Sequence, residues 1–365
     1  MRIACLLIPD LPLRAELRAY ESLVGQPVAI ASGTDADARI VSASAEALDA
    51  GVFPGASIPR ARSHCPRLQL RVASSRLERT ARSALVDLAL SFSPRVALAP
   101  RGQGPWMAEA AIHLDASGIH ALFRSESGFA IELEERASQL GLPGIATVAG
   151  SRDIAHLLAR TLSRNRDNPR VLPPGGEADF LAPLPVDWLE PGEPLGSRLS
   201  RFGIHRVQDL LALPRSGLAK RLGPQGRALL KRVRGENEEL PLPVWHNPRV
   251  EESIDLEYPV AQVEPLLFVL RGMLSRLLER LRLRGRVAGP LDLRLRLADG
   301  SREERRIGLA APTDDLRVLL RLLSLGLENR PPLAPIESLG LATEGQEKRG
   351  NQLDLFRPRG PDPAG

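Results

Sequence analysis

The chain is short of cysteine, of lysine and of long apolar runs, and each shortage closes off a class of explanation. Two cysteines, Cys5 and Cys65, in 365 residues are too few for a disulfide framework or a zinc site. A reducing, cytoplasmic setting is the expectation. No stretch approaches the roughly 20 consecutive apolar residues of a membrane span. The opening run Met1–Ile8 is cut off by Pro9 and Asp10 and lacks a secretory cleavage pattern, so it reads as a buried strand. The six histidines, at 64, 113, 120, 156, 205 and 246, are scattered, with no His/Cys pair at metal-ligand spacing. Neither a Gly-x4-Gly-Lys-Ser/Thr phosphate loop nor a nucleophile elbow is present. No cofactor is expected.

Lysine occurs only at 220, 231 and 348, yet the formal net charge is +5. The basic charge is therefore nearly all arginine, which forks bidentately onto phosphate. Such a balance suits a polyanionic partner, usually nucleic acid; a GC-rich genome writing Arg for Lys would produce it equally well. A length of 365 residues allows two to four domains, because single cores stop growing near roughly 250–300 residues.

Along the chain, residues 1–9 and 26–32 read as strands around a helix at 12–22. Helices follow at 43–50, ended by Gly51, and from Pro59 to the residues before Cys65-Pro66, since proline disfavours helix in the residue before it. Leu77, Ala81, Ala84, Leu85, Leu88 and Phe92 fall at helical spacing and predict a helix at 75–92. Strands at 95–99, 106–114 and 144–149 and helices at 116–139 and 151–163 complete an α+β pattern. Residues 164–194 are proline-rich and irregular.

From 195 to 240 the pattern is helical. Gly203-Ile204-His205 turns between two predicted helices, and Gly223 between two more. This is either an ordinary helical hairpin or a tandem helix–hairpin–helix, in which glycine permits a left-handed turn that aims backbone N–H groups at a DNA phosphate. After a linker at 237–250, a strand near 251–257 leads to a helix at 262–284. Leu291–Leu297 alternates strictly, Asp299-Gly300 signals a hairpin into a strand at 302–309, Thr313 is placed to cap a helix to 327, and Ile336–Ala342 forms a last strand. The order βαββαβ predicts a sheet with one face under two helices and the other open. Arg294, Arg296 and some of Arg302, Arg305 and Arg306 are candidates for a basic strip on that open face.

Near the end, Gln352, Leu353, Asp354, Leu355 and Phe356 form an apolar hook between polar, Gly/Pro-rich flanks that bury too little to order themselves. The cluster reads as an anchor for a partner's pocket, with folding back onto its own domain as the alternative. It resembles the bacterial sliding-clamp-binding motif: Gln, a small or apolar residue, Ser or Asp, Leu, Phe.

Taken in order, the chain resembles a Y-family, translesion-type DNA polymerase. Pro27-Val28-Ala29-Ile30, Val41-Ser42, Gly51-Val52, Ala61 and Cys65-Pro66-Arg67-Leu68 follow the pattern of that family's fingers. Leu114-Asp115 matches its palm; Phe202-Gly203-Ile204, Asp209-Leu210, Leu222-Gly223 and Arg234-Gly235 match its thumb. The resemblance implies a palm at 1–15 and 74–165, fingers at 16–73 and a helix–hairpin–helix thumb at 166–240. A little finger at 250–343 and a disordered tail at 344–365 carrying the clamp motif would follow. It also implies DNA contacts from Gly203, Ile204, His205, Gly223, Arg294, Arg296 and Arg152, the last as the palm's phosphate-binding residue.

Polymerase chemistry needs clustered carboxylates, because two divalent metals about 4 Å apart clamp the attacking and leaving oxygens. Where the family has its first aspartate this chain has Ile8, and where it has an Asp-Glu pair this chain has Ala110-Ala111. The family's nucleotide-binding Tyr and Arg fall at Ala45 and Leu48, its aromatic gate against ribonucleotides at Leu13, and one palm aromatic at His113. Asp10, Glu109 and Asp115 are the remaining nearby acids, and Glu109 shares a strand face with Ala111. The resemblance is thus closest to a catalytically degenerate branch of the family from bacterial SOS mutagenesis cassettes. It implies a non-catalytic adaptor without metal that binds damaged or primed DNA and the sliding clamp and recruits an error-prone C-family polymerase. The RecA-related protein ImuA is a further candidate partner. Many relatives reach that partner through an extension past the clamp motif; here nine residues follow Phe356. The alternative is a divergent but active polymerase using Glu109 with Asp115 or Asp10.

Overall fold

Strand β1 (Ile3–Ile8) is six apolar residues, all buried. A strand apolar on both faces has to be covered on both faces. In this computed structural model the chain forms two units, Met1–His246 and Asn247–Gly365. The described residues are 1–102, 106–119, 122–212, 215–234, 241–244 and 249–347, without the side chains of 215–221. After β1 the first unit continues through α1 (Leu11–Ala19), β2 (Val28–Ala31), β3 (Ile40–Ala43), α2 (Ala45–Asp49), α3 (Ile58–His64), β4 (Gln69–Val72) and α4 (Ser75–Leu90). Then come β5 (Val96–Leu98), β6 (Ala110–Asp115), α5 (Glu126–Gln139), β7 (Ile145–Ala149) and α6 (Arg152–Arg164). Four helices close it: α7 (Glu177–Leu181), α8 (Leu195–Arg201), α9 (Val207–Leu211) and α10 (Arg215–Val233).

The main sheet has the order β5-β6-β1-β7, antiparallel throughout. Ile3, Cys5, Leu7 and Ala111 join one core with Ile154, Leu158 and Leu162 of α6. Ala4, Leu6 and Ile8 alternate with them and face the side where α4 and α5 lie. Register places Ile8 opposite Ala110 at one end of the sheet and Ile3 opposite Asp115 and Ala149 at the other. A smaller sheet, β3-β2-β4, holds a core of small residues, Ala29, Ala43, Ala47 and Ala61, with Ile40 and Val52.

The helical region differs in detail from expectation. Gly203 has φ +71° and Gly223 φ +69°, the left-handed backbone that the turns require. At the first turn, however, the N–H groups do not point outward. Gly203 donates to Ser200, Ile204 to Leu199, and the N–H groups of His205 and Arg206 both reach the Asp209 carboxylate, at 3.2 and 2.9 Å. The turn is closed on itself by Asp209, the third residue of α9, whose carboxylate accepts the N–H of the N-cap Arg206. Helix α5 begins at Glu126, capped by Ser125, ten residues later than its periodicity suggests. A short helix, α7, stands within the stretch read as irregular.

The second unit is β8 (Arg249–Val260), α11 (Val263–Leu283), β9 (Arg286–Leu297), β10 (Arg302–Ile307), α12 (Leu316–Asn329) and β11 (Ile336–Glu347), the expected βαββαβ. Its sheet order is β10-β9-β11-β8, every neighbour antiparallel. Leu291, Leu293, Leu295 and Leu297 face α11 and α12, whose Leu270, Leu274, Leu277, Leu319 and Leu323 are buried. The cap of α12 is Asp315, which accepts from Arg317 and Val318; Thr313 instead pairs with Ala288. Under this sheet the buried carboxylate of Glu252 on β8 accepts from the buried Arg280 of α11 at 2.8 Å.

Candidate functional site

At the Ile8–Ala110 end of the main sheet the positions expected to grip metal are hydrocarbon and are packed away. Ile8 is 0% exposed, Ala110 3% and Ala111 1%. Ile8 and Ala110 are register partners on one face, while Ala111 pairs with Leu7 on the other. A methyl or butyl group offers no lone pair to a divalent cation, so this site does not fit the magnesium pair that polymerase chemistry requires. Among the described residues no group of three or more His, Cys, Asp and Glu side chains gathers in a metal-holding arrangement.

The nearby acids are otherwise engaged. Glu109, 5% exposed, accepts from Nε of Arg160 at 2.9 Å and from its Nη2, and lies 3.0 Å from Nε2 of His156. Burial pushes its carboxyl up, but the bonds to His156 and Arg160 outweigh this and hold it below the usual carboxylate range. Arg160 is itself buried, pairs with Glu190 at 2.6 Å, and stacks over the Trp106 ring at 4.4 Å. The guanidinium supplies the compensating charge that a metal would otherwise bring. His156 and Arg160 are four apart on α6 and so share a helix face. That spacing was the signal in the sequence, but Glu109 is 51 residues away from Arg160. Asp10 is half-buried, and burial raises its carboxyl pKa against the opposing effects of Arg14 and Ser42. Asp115 stands at the other end of β1, five residue steps from Ala110, or roughly 17 Å along the strand. Its Oδ1 accepts the Ser117 N–H at 2.9 Å. Asp115 and Glu109 therefore cannot share one bridging cation.

The other expected contact residues are distributed as follows. Arg152 opens α6 next to Ala149, at the Ile3 end of the sheet, away from Ile8. Ala45 and Leu48 are exposed on the five-residue α2. Gly203 and His205 are exposed and Ile204 is buried. Gly223 is half-buried at the kink of α10, where its ψ of −163° leaves the helical range. Gln352–Phe356 lie outside the described residues.

On the second unit Arg294 and Arg296 do face the open side, with Arg302 and Arg306 on the neighbouring strand. They are not a bare basic strip. Arg294 pairs with Glu251 at 2.9 Å and Glu304 at 3.3 Å; Arg296 pairs with Asp255 at 3.7 Å and Glu337 at 3.5 Å; Arg249 pairs with Asp292 at 3.1 Å. Between β9 and β8 runs β11 with Ser338, Gly340 and Ala342 on that face. These small residues leave a trough that the Arg294 and Arg296 stems bridge to reach β8. Ser338, Gly340 and Ala342 are buried although they lie on the open side, and a Cβ added at Gly340 would meet the Arg294 stem at 3.4 Å. Arg305 points the opposite way, under the sheet, donating to Gly326 at 3.2 Å and to the Arg330 carbonyl.

Comparison with known proteins agrees with this architecture. Residues 12–160 match the model of the impB/mucB/samB family and residues 250–355 that of the impB/mucB/samB family C-terminal domain. The chain is 30% identical over 292 residues to Protein ImuB of Caulobacter vibrioides strain NA1000 / CB15N, covering 79% of this chain and 60% of that protein. It thus spans about three fifths of the length of that relative. It is 26% identical over 344 residues to DNA polymerase IV 2 of Mesorhizobium japonicum, covering 92% of this chain and 79% of the relative. Among solved structures, a Dbh ternary complex covers 95% of this chain and 100% of its own at TM-score 0.52 and 16% identity. A Y-family DNA polymerase chimera of Dbh and Dpo4 covers 94% and 98% at TM-score 0.52 and 18% identity. Those likenesses show the fold, that of Y-family DNA polymerases. The chain belongs to the impB/mucB/samB family.

Proposed function

We propose that this chain is a non-catalytic polymerase homologue that acts as a DNA- and sliding-clamp-binding adaptor in translesion synthesis, recruiting an error-prone C-family polymerase. The observation that carries this reading is the replacement of metal-gripping acids by buried Ile8, Ala110 and Ala111, with Glu109 already neutralised by Arg160. A relative named Protein ImuB supports it. The hook at Gln352–Phe356 would supply the clamp contact and the arginine-bearing surfaces the DNA contact. Two weak contacts on one chain reinforce each other through effective concentration and would keep a partner polymerase near a primer end. No transmembrane-length apolar helix occurs among the described residues.

Relatives named DNA polymerase IV keep an active enzyme as the competing reading. It would have to draw on Asp10, Glu109 or Asp115, and the last two cannot meet. Primer extension with magnesium or manganese separates the two. No template-directed synthesis above a buffer control is expected. Synthesis that disappears in Asp10→Ala would overturn the adaptor reading. Deleting 352–356 should abolish binding to a bacterial sliding clamp while leaving DNA affinity within about twofold, because each contact stands alone when the other is absent.

A further inference from the structure

On the second unit, Glu264, Phe268, Arg271 and Ser275 of α11 recur at intervals of four, three and four residues and so form one stripe of the helix. All four are exposed, whereas Leu266, Leu270, Leu274 and Leu277 on the opposite side are buried. Phe268 is 80% exposed. Two more large apolar side chains stand where α11 begins: Tyr258, 76% exposed, and Leu333, 92% exposed. Register explains the grouping. Ile336, three residues after Leu333, pairs with Val260, which lies two residues after Tyr258 and three before the first residue of α11. Chain geometry therefore keeps the Cα atoms of Tyr258, Phe268 and Leu333 within roughly 20 Å of Val260. That is the footprint of one protein–protein contact, and aromatic anchors of this kind carry most of the energy of such contacts.

The charges beside the ring say what covers it. Glu264 lies four residues before Phe268 and Arg271 three after it, and neither is ion-paired to another described residue of the chain. Exposed Glu257 beside Tyr258 and exposed Arg330 near Leu333 repeat the mixed sign. A face with an acid and a base at nearly equal distances on either side of an aromatic ring is complementary to itself. Laid antiparallel on a second copy about a twofold axis at Phe268, Glu264 of each chain meets Arg271 of the other. A DNA backbone would be repelled by Glu264, and a partner of one sign would oppose one of the two charges.

We propose that the chain forms a twofold-symmetric dimer through α11, with Phe268 at the axis, Glu264–Arg271 pairs across it, and Tyr258 and Leu333 widening the apolar contact. The proposal holds whether the chain is an adaptor or an enzyme. Sedimentation of the full chain over a concentration series tests it. A monomer–dimer equilibrium with a dissociation constant of about 1–100 μM is expected, as for an interface at the small end of the range. Phe268→Glu should weaken dimerisation at least about thirtyfold, since it sets two carboxylates at the axis. Its urea midpoint should match the parent's, because the side chain is exposed. Glu264→Arg and Arg271→Glu should each weaken the dimer about three- to tenfold by placing like charges across the interface. The variant carrying both changes should return to within about threefold of the parent, a recovery that nonspecific sticking of apolar side chains does not produce. Deleting 352–356 should leave the dimer intact; a dimer lost with that segment would make the hook the occupant of this face and overturn the second-copy reading. A chain that stays monomeric at about 100 μM, a Phe268→Glu variant that dimerises like the parent, or a double variant no better than either single one would each overturn it as well.

Discussion

Two regions of this molecule bring arginine and carboxylate together, and they do it to opposite effect. Beside the Ile8–Ala110 end of the main sheet, Glu109 and Arg160 are each 5% exposed, with the guanidinium over the Trp106 ring. On the open face of the second unit, Arg294 and Glu251 are about 40% exposed and form one link in a lattice of alternating charges. The buried pair is closed to a ligand, because the counter-charge of Glu109 is built into α6. The exposed lattice is not closed, because water competes for each partner and a phosphate could take the place of a carboxylate. Burial alone separates a sealed site from a surface still open to a ligand.

The largest effect expected from this contrast is at Arg160. Arg160→Ala leaves Glu109 buried and without its main counter-charge, which should cost about 3–5 kcal/mol of stability in a urea titration. Arg160→Met with Glu109→Leu should recover most of that loss, since an apolar pair of similar volume replaces both ions. The same change at Arg294, an exposed pair, should move stability by no more than about 1 kcal/mol. Equal losses at the two sites would break the contrast. A pH dependence goes with it: the Glu109 pKa is lowered in the fold, so its contribution is present above the unfolded carboxylate pKa of about 4.3 and lost as pH falls below it. Glu109→Gln should flatten that acid limb.

His113 offers the next effect in size. Its folded pKa of about 3 lies under an unfolded value near 6.5, so the unfolded chain binds the proton first as pH falls. Stability should therefore decline between those two values by up to about 1.4 kcal/mol per pH unit from this group alone. His113→Phe should remove that component. A parent protein with no slope between about pH 6 and pH 4 would show that His113 is not buried and neutral as the structure has it.

The two regions were not equally legible. Strands β9 and β10 announce themselves because one face is solvated and the residues alternate; β3 and β4, four residues each, carry too little pattern to separate from loop. By resemblance Ile8, Ala110 and Ala111 stand where metal ligands are expected, and all three are buried, but the ion pair beside them joins residues 51 apart, and no local spacing links them. Arg294 and Arg296 lie on the open face that the alternation predicts, but they are paired with carboxylates. Sequence showed Arg294 and Arg296; only the register of β11 between β9 and β8, with Ser338, Gly340 and Ala342 small enough to be bridged, reveals that Glu251 and Asp255 lie within their reach. Likewise the Gly203 turn is legible in the sequence, but not that Ser200, Leu199 and Asp209 take its N–H groups.

The smallest effect is the one that decides what the lattice is for. If the open face meets a DNA backbone, its carboxylates restrain the arginines and oppose phosphate, so removing acid should help binding rather than harm it. Glu251→Gln and Asp255→Asn free Arg294 and Arg296 from one partner each while leaving Glu304 and Glu337 in place. The double variant should bind primed DNA about three- to tenfold more tightly at low salt, with the gain fading as ionic strength screens exposed charges beyond about 10 Å. Arg294→Ala should weaken binding almost uniformly across sequences and lower the salt slope by about one phosphate contact. Stability should change little in either case, because each exposed pair is worth about 0–1 kcal/mol. An affinity that ignores both substitutions would mean that the face meets no phosphate, and the arginines of the second unit would then serve only to hold β8 and β9 across the trough of β11.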